Sequence, residues 1–292
     1  MREPSLFDVN QSGGRHGIDY SGPKEKLPVS DTVAVFRGAR PHIRRISIDG
    51  PWAWLAAGWK DLRAAPGIAV IYGSVPVIAG VFAGLLLLWF DLPYLVWPLG
   101  AGFFFLGPFV ATGLYDVSRR LEVRHFADLE TTFLAWRRNP DQIALMGAVL
   151  LLLHLAWMRL AQLIFAIFAW RTVPSWDRFV DLAWFSIHGL PFLAAGIACG
   201  AVLAALAFSI GAFSMPYLLD QREANLFEAI ATSVAAVRIN IKPMALWAML
   251  IVILVGLAMV CGLLGLVIVL PLIAHATWHA YRDVVRFDAQ GI

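Results

Sequence analysis

Four ionisable side chains fall inside otherwise apolar stretches of this 292-residue chain: His154, Arg159, His275 and His279. Such groups are costly in lipid and are the first places to look for function in a membrane segment. His275 and His279 stand four apart in His-Ala-Thr-Trp-His-Ala-Tyr-Arg (275–282) and so share one helix face. That spacing can bind a metal or haem, because neutral imidazole is the commonest metal ligand in proteins. A third ligand is then needed, and His154 is the candidate, about 5 Å off level by helix rise. The alternative is structural: His279, Trp278 and Tyr281 also suit the membrane–water boundary. Arg159 is expected toward the far end of its helix. There it can snorkel, pair with Asp177 or Asp181, or line a substrate path together with His154.

No catalytic residue is assigned. The chain has no phosphate-cradling Gly-rich loop ending in Lys-Ser/Thr, no His-Glu-x-x-His, no Gly-x-Ser-x-Gly and no paired-Cys metal spacing. The reading therefore leans away from an enzyme, and from any cofactor beyond the haem or metal alternative at the histidines. Cys199 and Cys261 lie at different depths of different apolar runs, so they are expected to stay unbridged.

Composition supplies the setting. The chain is 60% hydrophobic and only 15% charged, whereas soluble proteins average about 25% charged. Twelve Trp and nineteen Phe fit long membrane interfaces. The partner implied is the lipid bilayer, with nothing that points to nucleic acid. The first thirty residues contain no apolar run, so a cleavable secretory signal is not expected.

The last third organises the rest. Between Glu223 and Ile241, Phe227, Ile230, Val234, Val237 and Ile241 recur at helical spacing, opposite Arg222, Glu228, Thr232, Arg238 and Asn240. Pro243 then opens a run, Met244 to Trp278, that is too long for one crossing of roughly 20 residues. Gly262 and Gly265 could turn it, giving two short helices; one long tilted helix is the alternative. Two earlier stretches follow the same recipe. Pro51–Ala65 carries Trp52, Leu55, Ala56, Trp59 and Leu62 on one face, with Asp49 or Ser47 as its cap. It is followed by crossings over Gly67–Phe90 and Tyr94–Val117. Phe126, Leu129, Phe133 and Trp136 make the second stripe, followed by crossings over Ile143–Ala169 and Leu190–Phe213, with a loop from Arg171 to Phe185 between them. Each unit also carries a proline and then an aspartate late in its second crossing: Pro108 and Asp116, Pro216 and Asp220, Pro271 and Asp283.

The fold expected is therefore all-α: six transmembrane helices as three hairpins, each preceded by a cytoplasm-side amphipathic interfacial helix. A basic tail (1–45) precedes a membrane domain (46–285) of three units, about 50–120, 125–220 and 221–283, and a short tail (286–292) ends the chain. Twenty of the 23 Lys and Arg fall on the side holding both termini. That asymmetry places both ends in the cytoplasm. Gly80-xxx-Gly84 and Gly196-xxx-Gly200 are candidate sites of close helix approach.

Three segments, Gly-Pro-Phe-Val-Ala-Thr-Gly-Leu-Tyr-Asp-Val-Ser-Arg-Arg-Leu-Glu (107–122), Ser-Met-Pro-Tyr-Leu-Leu-Asp (214–220) and His-Ala-Thr-Trp-His-Ala-Tyr-Arg (275–282), carry a resemblance. They resemble a family of bacterial multi-pass integral membrane proteins of unknown function, sometimes labelled cytochrome c oxidase subunits. The resemblance implies a six-pass protein of the bacterial inner membrane and no particular activity. A catalytic oxidase subunit would need about twice as many crossings and more intramembrane histidines than are present here. The functions in view are a non-enzymatic scaffold or assembly partner of a membrane complex, a respiratory one among them. The alternatives are a small-solute permease or channel-like module with Arg159 and His154 on its path, and a haem- or metal-binding redox protein using His275 and His279.

Overall fold

A computed structural model describes residues 41–92, 95, 107–108, 111–169, 176–261 and 263–287. These are almost wholly helical. Helices α1 (Gly50–Ala64) and α2 (Pro66–Trp89) lead to α3 (Thr112–Glu122), the single turn α4 (Leu129–Phe133) and a tighter 3₁₀ turn (Ala135–Arg138). Then come α5 (Pro140–Phe168), α6 (Trp176–Val180), α7 (Gly189–Gly211), α8 (Ser214–Asp220), α9 (Leu226–Ile239), α10 (Ile241–Val260) and α11 (Leu266–Val284). Strand β1 (Pro41–Ile43) pairs antiparallel with β2 (Val285–Phe287), with Ile43 opposite Val285. Both strands lie at the inner edges of stretches that the sequence reads as tails.

Four segments are long and apolar enough to cross a membrane: Pro66–Trp89, Pro140–Phe168, Gly189–Asp220 and Ile241–Val260. They coincide with the first, third, fourth and fifth crossings expected. Most of the expected second crossing, Tyr94–Val117, falls outside the described residues. The run from Met244 to Trp278 is two helices, broken at 261–265, where Leu263 adopts a left-handed φ of 69°. The second of these, α11, is not among the four membrane-length helices, because its latter half carries His275, His279, Arg282 and Asp283. The stretch read as a loop from Arg171 to Phe185 is helical over 176–185 and closes with a wide π turn.

Helix α11 is the pillar of the core. Ala274, His275, Ala276, Trp278, Ala280, Tyr281 and Val284 are all buried. Alternating small and aromatic side chains lets neighbouring backbones close on it. A Cβ on Gly58 would come within 2.6 Å of the Ala276 nitrogen, so α1 touches α11 backbone to backbone. Gly73 of α2 does the same against the Val267 carbonyl. Of the glycines singled out in the sequence, Gly84 and Gly196 are not used in this way, since a Cβ there would meet nothing within 4 Å, whereas one on Gly200 would come within 3.2 Å of Trp157.

The amphipathic segments are oriented opposite to soluble helices. In α1 the buried positions are Pro51, Trp54, Gly58 and Asp61, while Trp52 and Trp59 are exposed. In α9 they are Glu228, Ala229, Thr232, Ser233 and Ala236, while Phe227 at the start of the apolar stripe is 73% exposed. Phe126, Leu129, Phe133 and Trp136 are likewise exposed. Leu55, Ile230 and Val237 of the α1 and α9 stripes are half-buried against the core, so both stripes are shared between the protein and its surroundings, as suits a protein whose surroundings include lipid. The caps are mixed. Asn225 caps α9 with a full capping box with Glu228, whereas Asp49 at the start of α1 makes no side-chain cap bond. Cys199 and Cys261 are free.

The contact at Gly58 yields a direct test. Gly58→Val should lower the unfolding midpoint in detergent, at a cost of about 1–3 kcal/mol or more. Gly84→Val should leave the midpoint within the error of a thermal-denaturation measurement.

Candidate functional site

The latter half of α11 collects polar partners from every element around it. His275 Nδ1 lies 2.8 Å from Ser118 Oγ of α3. His279 Nε2 lies 2.7 Å from Asp61 Oδ2 of α1. Ser118 also hydrogen-bonds Asp61, so the chain of contacts runs His275, Ser118, Asp61, His279. Which of Ser118 Oγ and His275 Nδ1 donates is set by the tautomer of His275. Its Nε2 is buried and has no hydrogen-bond partner among the described residues.

Burial raises the pKa of Asp61, but the bonds from His279 and Ser118 and the nearby imidazoles outweigh it, so the carboxyl sits below its ordinary value of 3.8. The geometry does not make an acyl-transfer triad. The serine pairs with Nδ1 rather than Nε2, and both Ser118 and His275 are fully buried. The network instead positions three helices against each other.

A second ring of bonds surrounds it. Trp278 Nε1 donates to Glu122 Oε1 at 3.0 Å, and Tyr281 donates to Asp220 Oδ2 at 2.9 Å. Arg282 bridges Glu122 at 3.3 Å and Asp220 at 3.4 Å. Arg44 pairs with Asp283, which also accepts from Trp54 Nε1 at 3.1 Å. The buried Asn240 side chain accepts from Ile46 N–H and donates to the Arg44 carbonyl, tying the strand segment to the end of α9. Asp116 accepts from both Arg119 and Arg120 at 2.6 Å. Thus all three aspartates that follow the late prolines, Asp116, Asp220 and Asp283, are anchors of this layer.

The residues suggested by the sequence separate into two regions. His275 and His279 sit in the network, each with its own partner. His154 is buried on α5, far along the chain from them, and Arg159 is exposed. Five residues apart on one helix, they point about 140° from each other, so they do not converge on one path. Arg159 donates to Gln162 Oε1 at 3.3 Å, while Asp181 pairs with Arg178 at 3.9 Å. Among the described residues no three His, Cys, Asp or Glu side chains gather to hold a metal ion.

Asp61 and Ser118 were not singled out in the sequence. Asp61 lies off the aromatic stripe of α1, at the spacing Trp54, Gly58, Asp61, and only the inverted orientation of that helix makes its spacing meaningful. Another polar feature lies beside this layer: a cavity of about 270 Å³ lined by Asp116, Thr131 and four arginines, Arg120, Arg137, Arg138 and Arg222. Neither His154 nor Arg159 lines it.

Four membrane-length apolar helices joined to a layer of buried ion pairs and hydrogen bonds define an integral membrane protein of the all-α class. Residues 95–220 match the family described as "Predicted integral membrane protein (DUF2189)". The match takes in two of the three segments that carried the resemblance and stops before the third. No curated protein and no solved structure matches the chain.

Asp61 supplies the prediction. Asp61→Asn should destabilise the protein by about 1–3 kcal/mol at neutral pH, because buried partners lose a charge-assisted bond. A carboxyl whose folded pKa is depressed stabilises above its unfolded value and loses that contribution as pH falls through the folded one. The gap between wild type and variant, measured by denaturation in detergent, should therefore be full near pH 7 and close as pH drops below 3.8.

Proposed function

We propose that the protein is a non-enzymatic scaffold of the bacterial inner membrane, an accessory or assembly partner that seats another membrane complex against its spans. The observation that carries this reading is how little of the spans the chain itself covers. In the apolar window of Gly189–Asp220 only 6% is buried within the protein, and the best-covered span, Ile241–Val260, reaches only 28%. Ile197, Val202 and Leu206 of α7 are all exposed. Meanwhile the polar side chains of the latter half of α11 are engaged in internal bonds to α1, α3 and α8. A rigid base with bare apolar helices suits packing against other membrane helices.

The reading includes six passes in three hairpins and both ends in the cytoplasm, supported by the charge asymmetry of the chain. The label carried by the resembling family makes a respiratory complex the first partner to test.

A photo-crosslinking residue placed at Ile197 or Val202 in native membranes should give one discrete protein adduct at both positions. Adducts to lipid alone would overturn the scaffold reading. Reporter fusions should place both chain ends in the cytoplasm, and ends in different compartments would remove the six-pass topology.

A further inference from the structure

The arginine-lined cavity sits where two membrane-length segments meet the boundary. Arg137 and Arg138 immediately precede the span beginning at Pro140, and Arg222 follows the one ending at Asp220. Arg120 comes from the last turn of α3. Four guanidinium groups face one carboxylate, and that carboxylate is engaged on both oxygens: Arg119 holds Asp116 Oδ1 and Arg120 holds Oδ2. Among the described residues Arg137, Arg138 and Arg222 enter no ion pair, so the cavity carries uncompensated positive charge.

The two half-buried arginines are also fixed in a particular way. Arg120 is held through Nε on Asp116, and Arg138 through Nε on the Leu219 carbonyl at 2.9 Å. Holding the fork by Nε orients the guanidinium while leaving Nη groups to bind a ligand in the cavity. Burial, with Arg119 and Arg222 nearby, pulls the pKa of Arg138 down, and the opposing pull of Asp116 and Asp220 does not offset it. The fork geometry of arginine matches tetrahedral oxyanions bidentately. Phe133 and Trp136, exposed on the same short segment, belong at headgroup depth.

We propose that this cavity binds a phosphate group, presented by an anionic phospholipid headgroup or by a small soluble phosphate, through Arg120, Arg137, Arg138 and Arg222. The proposal does not depend on the scaffold reading. A phosphate there would bridge α3, the turn at 135–138 and the turn after α8, and so clamp the base at the point where two spans leave it.

The test uses the delipidated full-length protein in detergent, titrated separately with dioctanoyl phosphatidylglycerol, with inorganic phosphate and with dioctanoylglycerol, and read by thermal shift. Wild type should be stabilised by the phospholipid, by phosphate, or by both, and not by the phosphate-free diacylglycerol. Response to phospholipid alone assigns the site to a headgroup, and a matching response to phosphate assigns it to a soluble ligand. The double variant Arg138→Gln/Arg222→Gln should need about tenfold more ligand or higher for the same shift. Arg222→Gln alone, an exposed change that spares the Arg138–Leu219 bond, keeps the test valid if the double variant does not fold, and should weaken the response severalfold. Arg63→Gln, a basic residue on α1 away from the cavity, should respond like wild type. Equal responses from wild type and the Arg222 variant, an equal loss in Arg63→Gln, or an equal shift with dioctanoylglycerol would each overturn the proposal.

Discussion

A buried polar group must find its partner inside the protein or drive the fold apart, and near a membrane water cannot fill the gap. The latter half of α11 concentrates this constraint. It carries His275, Trp278 and Tyr281 into full burial and His279, Arg282 and Asp283 into partial burial beside them. Each is met by a group from another element: Ser118 and Glu122 from α3, Asp61 and Trp54 from α1, Asp220 from α8, Arg44 from the strand segment. The small residues around them, Gly58 above all, exist to let those partners come near enough. Packing and polar satisfaction are one requirement here, since opening the Gly58–Ala276 contact would also part Asp61 from His279.

This layer explains why the amphipathic helices face as they do. A helix that lies against lipid on one side and against a hydrogen-bonded base on the other turns its aromatic stripe outward. Its serines, threonines and acids turn inward, as α9 does with Ser233 accepting from Phe213 N–H and donating to the Ser209 carbonyl. The pattern is amphipathic in sequence, but its apolar half marks the surface rather than the core.

Much of the architecture was legible in the residues. Apolar length located the four spans to within a few positions, and the break near Gly265 was visible as a glycine pair. The late aspartates are legible as a repeat, but two of them are not legible as anchors, because their partners lie far away in the chain: Asp220 reaches Tyr281 and Asp283 reaches Arg44. His275 and His279 were found because spacing along one helix is readable. Their partners Ser118 and Asp61 were not, since pairing across 157 and 218 residues leaves no local signal. The arginines of the cavity were counted as topogenic charge, and nothing in their spacing shows that three separate turns bring them together. Helix α11 was legible as a helix from its apolar first half, while the contacts of its second half were not, because their partners lie far away in the chain.

The two-stranded clasp carries a consequence for counting. Ile43 lies opposite Val285 in the ladder and Arg44 N–H donates to the Val284 carbonyl, so the two strands occupy the same side of any bilayer the chain traverses. Between them the polypeptide must therefore go back and forth an even number of times. Four traversals satisfy that parity, and five cannot. Were the stretch between residues 92 and 111 to cross as well, the return leg would fall to Leu266–Val284, the remaining long helix, and its more polar second half would then emerge at the face that holds Ile43.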